Sequence, residues 1–355
     1  MCTIPSRVSD ARCVIHRMLG GQTCPLNRIQ VSLNGFGAIP DAFPVDPRVK
    51  YCVRPDNPGP WIRYAAADDF AAEDILLTLD DDVDYPPDYV ERAVGLLRDE
   101  PQSVAGCFSA VSWTPFQDDF TYGLRRLQFM LEAPLSRSRR VALLKGQSGV
   151  FRSSHVAHIE PPLARALQMN DDMWIGREMQ IRRVRIHCWP KAAGWISDRP
   201  SSGEPGALYR SRGSERAATF SRLVARGFDP TAEAEAEILA TPERILVLSS
   251  CSPFSAGSAR LDGALRLLCG PGRSVHLLCP VDTAERGRVQ RMVDGPYWVH
   301  EVEADSTDGR GNGIALVRHW RTRRVARRNA AEWEERLRFV ERALDPTRIL
   351  DWREA

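Results

Sequence analysis

No run of apolar residues in this 355-residue chain approaches the ~20 needed to span a bilayer. The opening stretch MCTIPSRVSD also lacks the apolar core of a secretory signal. The nine cysteines are odd in number, scattered and never spaced C-x-x-C, which argues against a disulfide framework or a zinc knuckle and for a reducing compartment. No phosphate loop accompanies the acidic strand described below, so an ATPase is not indicated. A formal net charge of +2 gives no excess of either sign, and nucleic acid is not expected as a partner. These absences predict a cytoplasmic protein, at most peripheral at the inner face of a membrane. With 43% hydrophobic and 26% charged residues, the chain has an ordinary globular balance and is long enough for one large domain or two.

What is present is an unusual concentration of carboxylates. In LTLDDDVDYPPDYV, residues 77 to 90, four aspartates fall within five positions directly after an apolar run. Ile75, Leu76, Leu77 and Leu79 predict a buried parallel strand over Asp74 to Leu79, because the run is continuous and does not alternate. Pro86 and Pro87 suit a helix start, and Tyr89, Val90, Ala93, Val94 and Leu97 give that helix an apolar face. The aspartates Asp80 to Asp84 therefore sit in a strand-to-helix crevice, where open α/β sheets bind ligands. Carboxylates so close repel one another unless neutralised, and a hard divalent cation is the usual neutraliser. The plain alternative is a solvated loop with a capping acid.

Up to about residue 190 short apolar strands alternate with amphipathic segments. Helices are expected over Val8 to Leu19 and Ile62 to Phe70, and strands over Arg28 to Leu33, Val49 to Val53, Ser103 to Phe108, Val141 to Leu144 and Val184 to Cys188. This order predicts a mainly parallel, layered α/β sheet with flanking helices. The alanine-rich stretch PTAEAEAEILATPE marks a boundary, giving a first domain over residues 1–230, a linker over 231–243 and a second domain over 244–355. The second domain opens as a βαβ unit: Ile245 to Leu248, Ala259 to Leu268, Val275 to Leu278. It ends in ALVRHWRTRRVARRNAAEWEERLRFVERAL, one long helix that is basic in its first half. Such a run is ordinarily a solvated face; the other reading is a lipid-surface or partner contact.

Two further stretches of the first domain carry polar chemistry. In LKGQSGVFRSSHV, Gly146 and Gly149 flank Gln147 and Ser148, which lets backbone approach a ligand or simply makes a turn. In MNDDMWIGREMQ, Asn170 is expected to cap a helix whose first turn holds Asp171 and Asp172. Those acids stabilise a helix by ~0.3 to 1 kcal/mol each through its dipole, and one of them is also placed to act as a base.

The order IPSR, strand-DDD-x-x-Y-P, a GxxG segment and an acidic pair opening a helix resembles the nucleotide-sugar glycosyltransferases of the GT-A fold, in their inverting, family 2-like group. The likeness spans about residues 1 to 200. It implies a metal-dependent transfer of a sugar from a UDP- or GDP-linked donor to a glycan, lipid-linked or protein acceptor, as in polysaccharide biosynthesis, with Mn²⁺ or Mg²⁺ as cofactor. On this resemblance Asp82 is the direct metal ligand and Asp80 lies by the ribose or a metal-bound water, with Asp81 in the variable middle place. Pro5, Ser6 and Arg7 match the loop against the nucleotide, and Arg63 falls where relatives carry a basic residue facing the donor. Gly146, Gln147, Ser148 and Gly149 match the acceptor-side loop, and Asp172, with Asp171 second, matches the base. His187 is a further candidate for the metal shell, ahead of His155 and His158.

The chemistry explains these residue types. A divalent cation stabilises the charge gathering on a diphosphate leaving group, and a carboxylate on the opposite face takes the acceptor's proton during inversion. The resemblance leaves the first strand very short, since the chain begins almost on IPSR. The second domain resembles the opening half of a Rossmann-like GT-B subdomain but is too short to hold both halves. Two rival readings are a haloacid-dehalogenase-like phosphohydrolase, with Lys145 and Asp171-Asp172 in its later roles, and a non-catalytic nucleotide- or metal-binding module. Residues 114 to 140 are expected to form a mobile acceptor-side segment.

Overall fold

The computed structural model describes residues 1–115, 122, 126–200, 213–249, 259–269, 272–281, 297–303 and 324–352. They form two compact units: Met1–Ser112 with Thr121–Gly123 and Phe129–Pro230, and Trp113–Phe120 with Leu124–Gln128 and Thr231–Ala355. Both are α/β.

In the first unit a parallel three-stranded sheet runs in the order Cys2–Thr3, Ile29–Asn34, Val49–Arg54. A mixed five-stranded sheet runs Ile75–Leu77, Gly149–Arg152, Val104–Cys107, Arg185–Cys188, Arg139–Val141. The helix Val8–Gly20 buries Ala11, Val14, Ile15 and Met18, and Tyr89–Asp99 buries Tyr89, Val90, Ala93 and Leu97. These i, i+3, i+4 stripes meet the apolar side chains of the strands in one core that includes Val31, Leu33, Leu79, Val83, Phe108 and Trp189. Arg152 closes the second helix from below its last turn, donating to the carbonyls of Leu97 at 2.9 Å and Glu100 at 3.1 Å. Gly106 is required by packing: a Cβ there lies 1.9 Å from the Trp189 ring.

Four expectations change. The strand before the aspartates is Ile75–Leu77, half-buried and antiparallel to Gly149–Arg152, because it lies at the edge of its sheet. Ile62 to Phe70 is not a helix but two 3-10 turns, Pro60–Arg63 and Ala67–Asp69, entered through Gly59 at φ 97°. Residues 231–243 are not a linker: Ala232–Leu239 is a helix, whose Ala234 and Ile238, one turn apart, are buried in the second unit. Leu143–Leu144 splits from Arg139–Val141 and pairs instead with Ala110–Trp113.

In the second unit four parallel strands run in the order Tyr297–Glu303, Arg273–Val281, Glu243–Ser249, Arg348–Trp352. Leu261 and Leu265 of the helix Ala259–Leu268 pack with Ile245, Val247 and Val275 in one cluster. Ala234, Ile238, Val340 and Leu344 pack with Leu246, Leu278 and Trp298 in another. Alternate residues of the same strands feed the two clusters, so the sheet is covered on both faces. Of the long basic helix, Arg324–Leu344 is described; residues 315–323, and the side chains on which a membrane contact was expected up to 332, lie outside the described residues. Residues 116–121 and 123–125, within the expected mobile segment, lie outside them too. Among the described residues no helix is long and apolar enough to cross a membrane.

Candidate active site

The acidic turn is held at its root by backbone pairing. Thr78 N–H donates to the Gly149 carbonyl at 2.8 Å, and Gly149 N–H donates to Thr78 Oγ1 at 2.9 Å. Asp80 N–H donates to the Tyr85 hydroxyl at 2.8 Å, and that hydroxyl donates to the Gln147 carbonyl at 2.7 Å. Tyr85 is fully buried, so this one phenol fixes the distance between the aspartates and the Gly146 to Gly149 turn. On the far side the short strand Val83–Asp84 pairs with Ser197–Asp198, and Arg199 N–H donates to the Asp82 carbonyl at 2.7 Å.

Each carboxylate of the cluster faces an arginine. Arg7, one residue into the chain from the exposed Pro5 and Ser6, donates to Asp82 at 3.0 Å and lies 3.6 Å from Asp81. Asp84 is met by Arg17 at 3.2 Å and Arg199 at 2.9 Å. Arg63 is buried and bridges three segments: Asp80 at 2.5 Å, the Gly146 carbonyl at 2.8 Å and Asp171 at 3.2 Å. Burial alone would lower its pKa, but Asp80 and Asp171 outweigh that and hold it above the ordinary guanidinium value. A Cβ at Gly146 would stand 2.9 Å from Arg63 Nη1 and 3.0 Å from Asp171 Oδ2, so a side chain there would have to displace that pair.

The helix Asp171–Ile181 brings the second acidic pair. Asn170 precedes it as expected, but its side chain donates back to the Ala166 carbonyl at 2.6 Å and leaves the helix N–H groups to others. Asp172 Oδ1 accepts Met173 N–H at 3.0 Å, and its Oδ2 accepts from Arg216 at 2.5 Å. Arg216 comes from the helix Gly213–Ala225 and lies over the Tyr122 ring at 5.3 Å. Trp174 packs edge-on against Trp61 and tilted against Tyr64, which ties this helix to the turn carrying Arg63. Gly59 touches the segment ahead of the helix so closely that a Cβ would lie 2.4 Å from the Gln168 carbonyl.

The arginines do not fully balance the acids. Asp81 is pushed up to about 7 and Asp82 to about 6, in both cases chiefly by burial, with neighbouring aspartates adding to it. Asp171 is raised to about 6, again by burial first, against the opposing pull of Arg63. Asp80 and Asp82, two carboxylates two residues apart on one turn, are a hard oxygen donor set that fits a Mg²⁺ or Mn²⁺. Among the described residues no three His, Cys, Asp or Glu side chains form a closed metal cage. A small hard cation that keeps its waters needs only one or two carboxylates together with substrate phosphates.

Several sequence candidates come together and some do not. Arg7, Arg63, Asp80, Asp81, Asp82, Gly146, Asp171 and Asp172 form one connected network. Ser148 is buried and accepts Phe108 N–H at 3.2 Å, a structural role, and Gly149 belongs to a strand. His187 is brought to Glu100 at 2.8 Å, not to the aspartates, and Trp189 Nε1 donates to the same carboxylate. The expectation of a metal-shell histidine is therefore corrected: the strand carrying it points this side chain to the turn after the second helix. His155 bonds the Gln102 carbonyl and His158 pairs with Asp68. Tyr85, Arg199 and Arg216 were missed by sequence reasoning; the tyrosine stood inside the acidic motif, but neither arginine has a local signal.

Residues 38–156 match the family model of Glycosyl transferase family 2. The matched stretch holds Arg63, the three aspartates Asp80 to Asp82 and the Gly146 to Gly149 turn, and it ends ahead of Asp171, Asp172 and Arg216. No curated protein matches the chain.

Proposed function

We propose that the protein transfers a sugar from a nucleoside-diphosphate donor to an acceptor hydroxyl, with inversion and with a divalent cation. The observation that carries this reading is Arg63, which joins the acidic turn inside the family match to the acidic helix beyond it. Carboxylates from two segments, Asp80 and Asp171, are thereby held to one guanidinium, which supports separate roles in donor activation and acceptor deprotonation.

On this reading Asp82 and Asp80 hold the Mg²⁺ or Mn²⁺, which supplies Lewis-acid stabilisation to the leaving diphosphate. Arg7 and Arg63 orient the phosphates and Asp81 keeps the turn compact. Asp172 is the acceptor's base, with Arg216 directing its carboxylate, and Asp171 is the second candidate because its raised pKa suits proton uptake near neutrality. The Gly146 and Gln147 backbone lines the acceptor side. The second unit is an accessory α/β domain.

The test is calorimetric titration of UDP and of GDP with Mn²⁺, with EDTA, and with Asp82→Asn. Binding that needs Mn²⁺ and falls at least tenfold in the variant is expected, and the base that binds names the donor class. Binding indifferent to both changes overturns the cation's place in the reading, and no binding of either nucleotide overturns the donor.

A further inference from the structure

The segment beyond the strand Arg185–Cys188 comes back to the acidic turn and is fastened along it from Trp195 to Arg199. Gly194, at φ 66°, turns the chain, and its N–H donates to the Glu132 carbonyl at 2.9 Å. Trp195 Nε1 donates to Asp88 Oδ1 at 2.9 Å, and its ring packs on Phe108 and Tyr89 with the Arg92 guanidinium 4.5 Å from it. Ile196 is buried in the same core as Val83 and Tyr85. Ser197 and Asp198 then pair with Asp84 and Val83.

Arg199 closes this strap with both its main chain and its side chain. Its N–H donates to the Asp82 carbonyl at 2.7 Å. Its guanidinium reaches Asp84 Oδ1 through Nη1 at 2.9 Å and Asp10 Oδ1 through Nε at 3.3 Å. Asp10 stands in the first turn of the helix Val8–Gly20, directly after Arg7, the side chain that meets Asp82 at 3.0 Å. One residue thus joins the backbone of Asp82, the carboxylate of Asp84 and the helix that starts beside Arg7. A planar fork aimed at two carboxylates fixes their mutual angle, which a point charge leaves free. Arg17 also reaches Asp84 from this helix, at 3.2 Å, but its side chain is 46% exposed against 22% for Arg199. Water screens such a pair more strongly.

We propose that Arg199 is a positioning residue: holding Asp82 through its backbone and Asp84 and Asp10 through its side chain, it sets the spacing between the acidic turn and Arg7, and with it the affinity for a nucleoside diphosphate and its cation. The ligand in this inference rests on the proposed function; the spacing rests on the geometry of the strap alone. Without the guanidinium, Asp82 keeps its main-chain bond to the strap, but the strap loses its tie to the first helix. Arg7 and Asp82 are then held less exactly, and a ligand that needs both has to order them as it binds. The ion pairs are partly exposed and contribute little to folding, so the effect falls on binding.

The experiment compares the full chain with Arg199→Ala, Arg199→Lys and Arg17→Ala. Hydrogen exchange over Val83–Asp84 and Ser197–Asp198 is read without ligand, and UDP and GDP are titrated calorimetrically with Mn²⁺. Arg199→Ala is expected to speed that exchange and to weaken nucleotide binding, each by about tenfold, while its melting temperature falls by less than about 3 °C. Arg199→Lys should regain part of the affinity, and Arg17→Ala should stay within about twofold of wild type in both readings. Unchanged exchange in Arg199→Ala overturns the proposal whether or not a nucleotide binds. Nucleotide affinity equal to that of wild type overturns the positioning role, and so does a melting temperature lowered by more than about 10 °C, which makes the residue a structural one. An equal loss in Arg17→Ala also overturns it, because that variant takes charge from Asp84 and leaves the bonds of the strap in place. A wild type that binds neither nucleotide, with the exchange difference intact, removes the proposed function and supports the tie between strap and helix.

Discussion

Replacing Arg63 by glutamine removes a cation that reaches Asp80, Asp171 and the Gly146 carbonyl together. Breaking a buried ion pair from one side costs about 3 to 5 kcal/mol, because the partner carboxylate stays buried without its charge. For a unit of this size each kcal/mol lowers the melting temperature by about 2 to 4 °C, so the first unit should melt roughly 10 °C earlier at pH 8. The pH dependence separates this cause from simple loss of packing. Asp171 has its pKa raised from 3.8 to about 6 in the folded chain, so the folded state binds more protons than the unfolded one between those values and stability falls as pH rises through that window. Without Arg63 the folded pKa climbs further and the window extends upward. The gap between wild type and Arg63→Gln should therefore be small at pH 5 and widen to its full size by pH 8, measured by scanning calorimetry. Arg63→Lys should fall between the two, since a point charge cannot serve three acceptors from a fork. A loss below about 1 kcal/mol, or one that is equal at pH 5 and pH 8, would refute the claim that this guanidinium holds the carboxylates in place.

Asp172→Asn should lower the sugar-transfer rate by about 10² to 10⁴ with little change in nucleotide affinity, and Asp171→Asn should do less; an acid limb near pH 6 that disappears only in Asp171→Asn would reverse the two roles. Gly146→Ala pushes a methyl against Arg63 and Asp171, and should cost about 1 to 3 kcal/mol along with most of the activity. His187→Phe removes the bond to Glu100 but leaves the Trp189 bond, so it should lower stability by about 1 kcal/mol while titrations of UDP or GDP stay unchanged. Altered metal dependence in that variant would place the histidine back with the aspartates.

Elements marked by periodicity were readable from the sequence. Ala11, Val14, Ile15 and Met18 set one helix, Val90, Ala93 and Leu97 another, and the continuous apolar runs of the second unit its central strands. Direction and neighbourhood were not, because a run such as Ile75–Leu77 looks the same whether its partner is parallel or antiparallel. The expected helix at Ile62 to Phe70 failed because Trp61 and Tyr64 are spent on Trp174 and Phe151, packing that composition does not announce. At the site, the carboxylates were legible as a cluster along the chain. Their counter-ions were not: Arg7 meets Asp82 across 75 residues and Arg216 meets Asp172 across 44, and a sequence full of arginines gives no reason to choose those two.

The pairing of every site carboxylate with an arginine has a thermodynamic consequence for any ligand. On the proposed function, a cation that takes Asp82 competes with Arg7 for that carboxylate, and a diphosphate that draws on Arg7 leaves Asp82 more open to a cation. Each ligand removes the cost of the other, and by linkage the factor by which the cation tightens the nucleotide equals the factor by which the nucleotide tightens the cation. On the proposed function the arginines hold the acidic turn in the empty site, and a cation and a nucleotide that each favour the other would make half-loaded states the scarce ones.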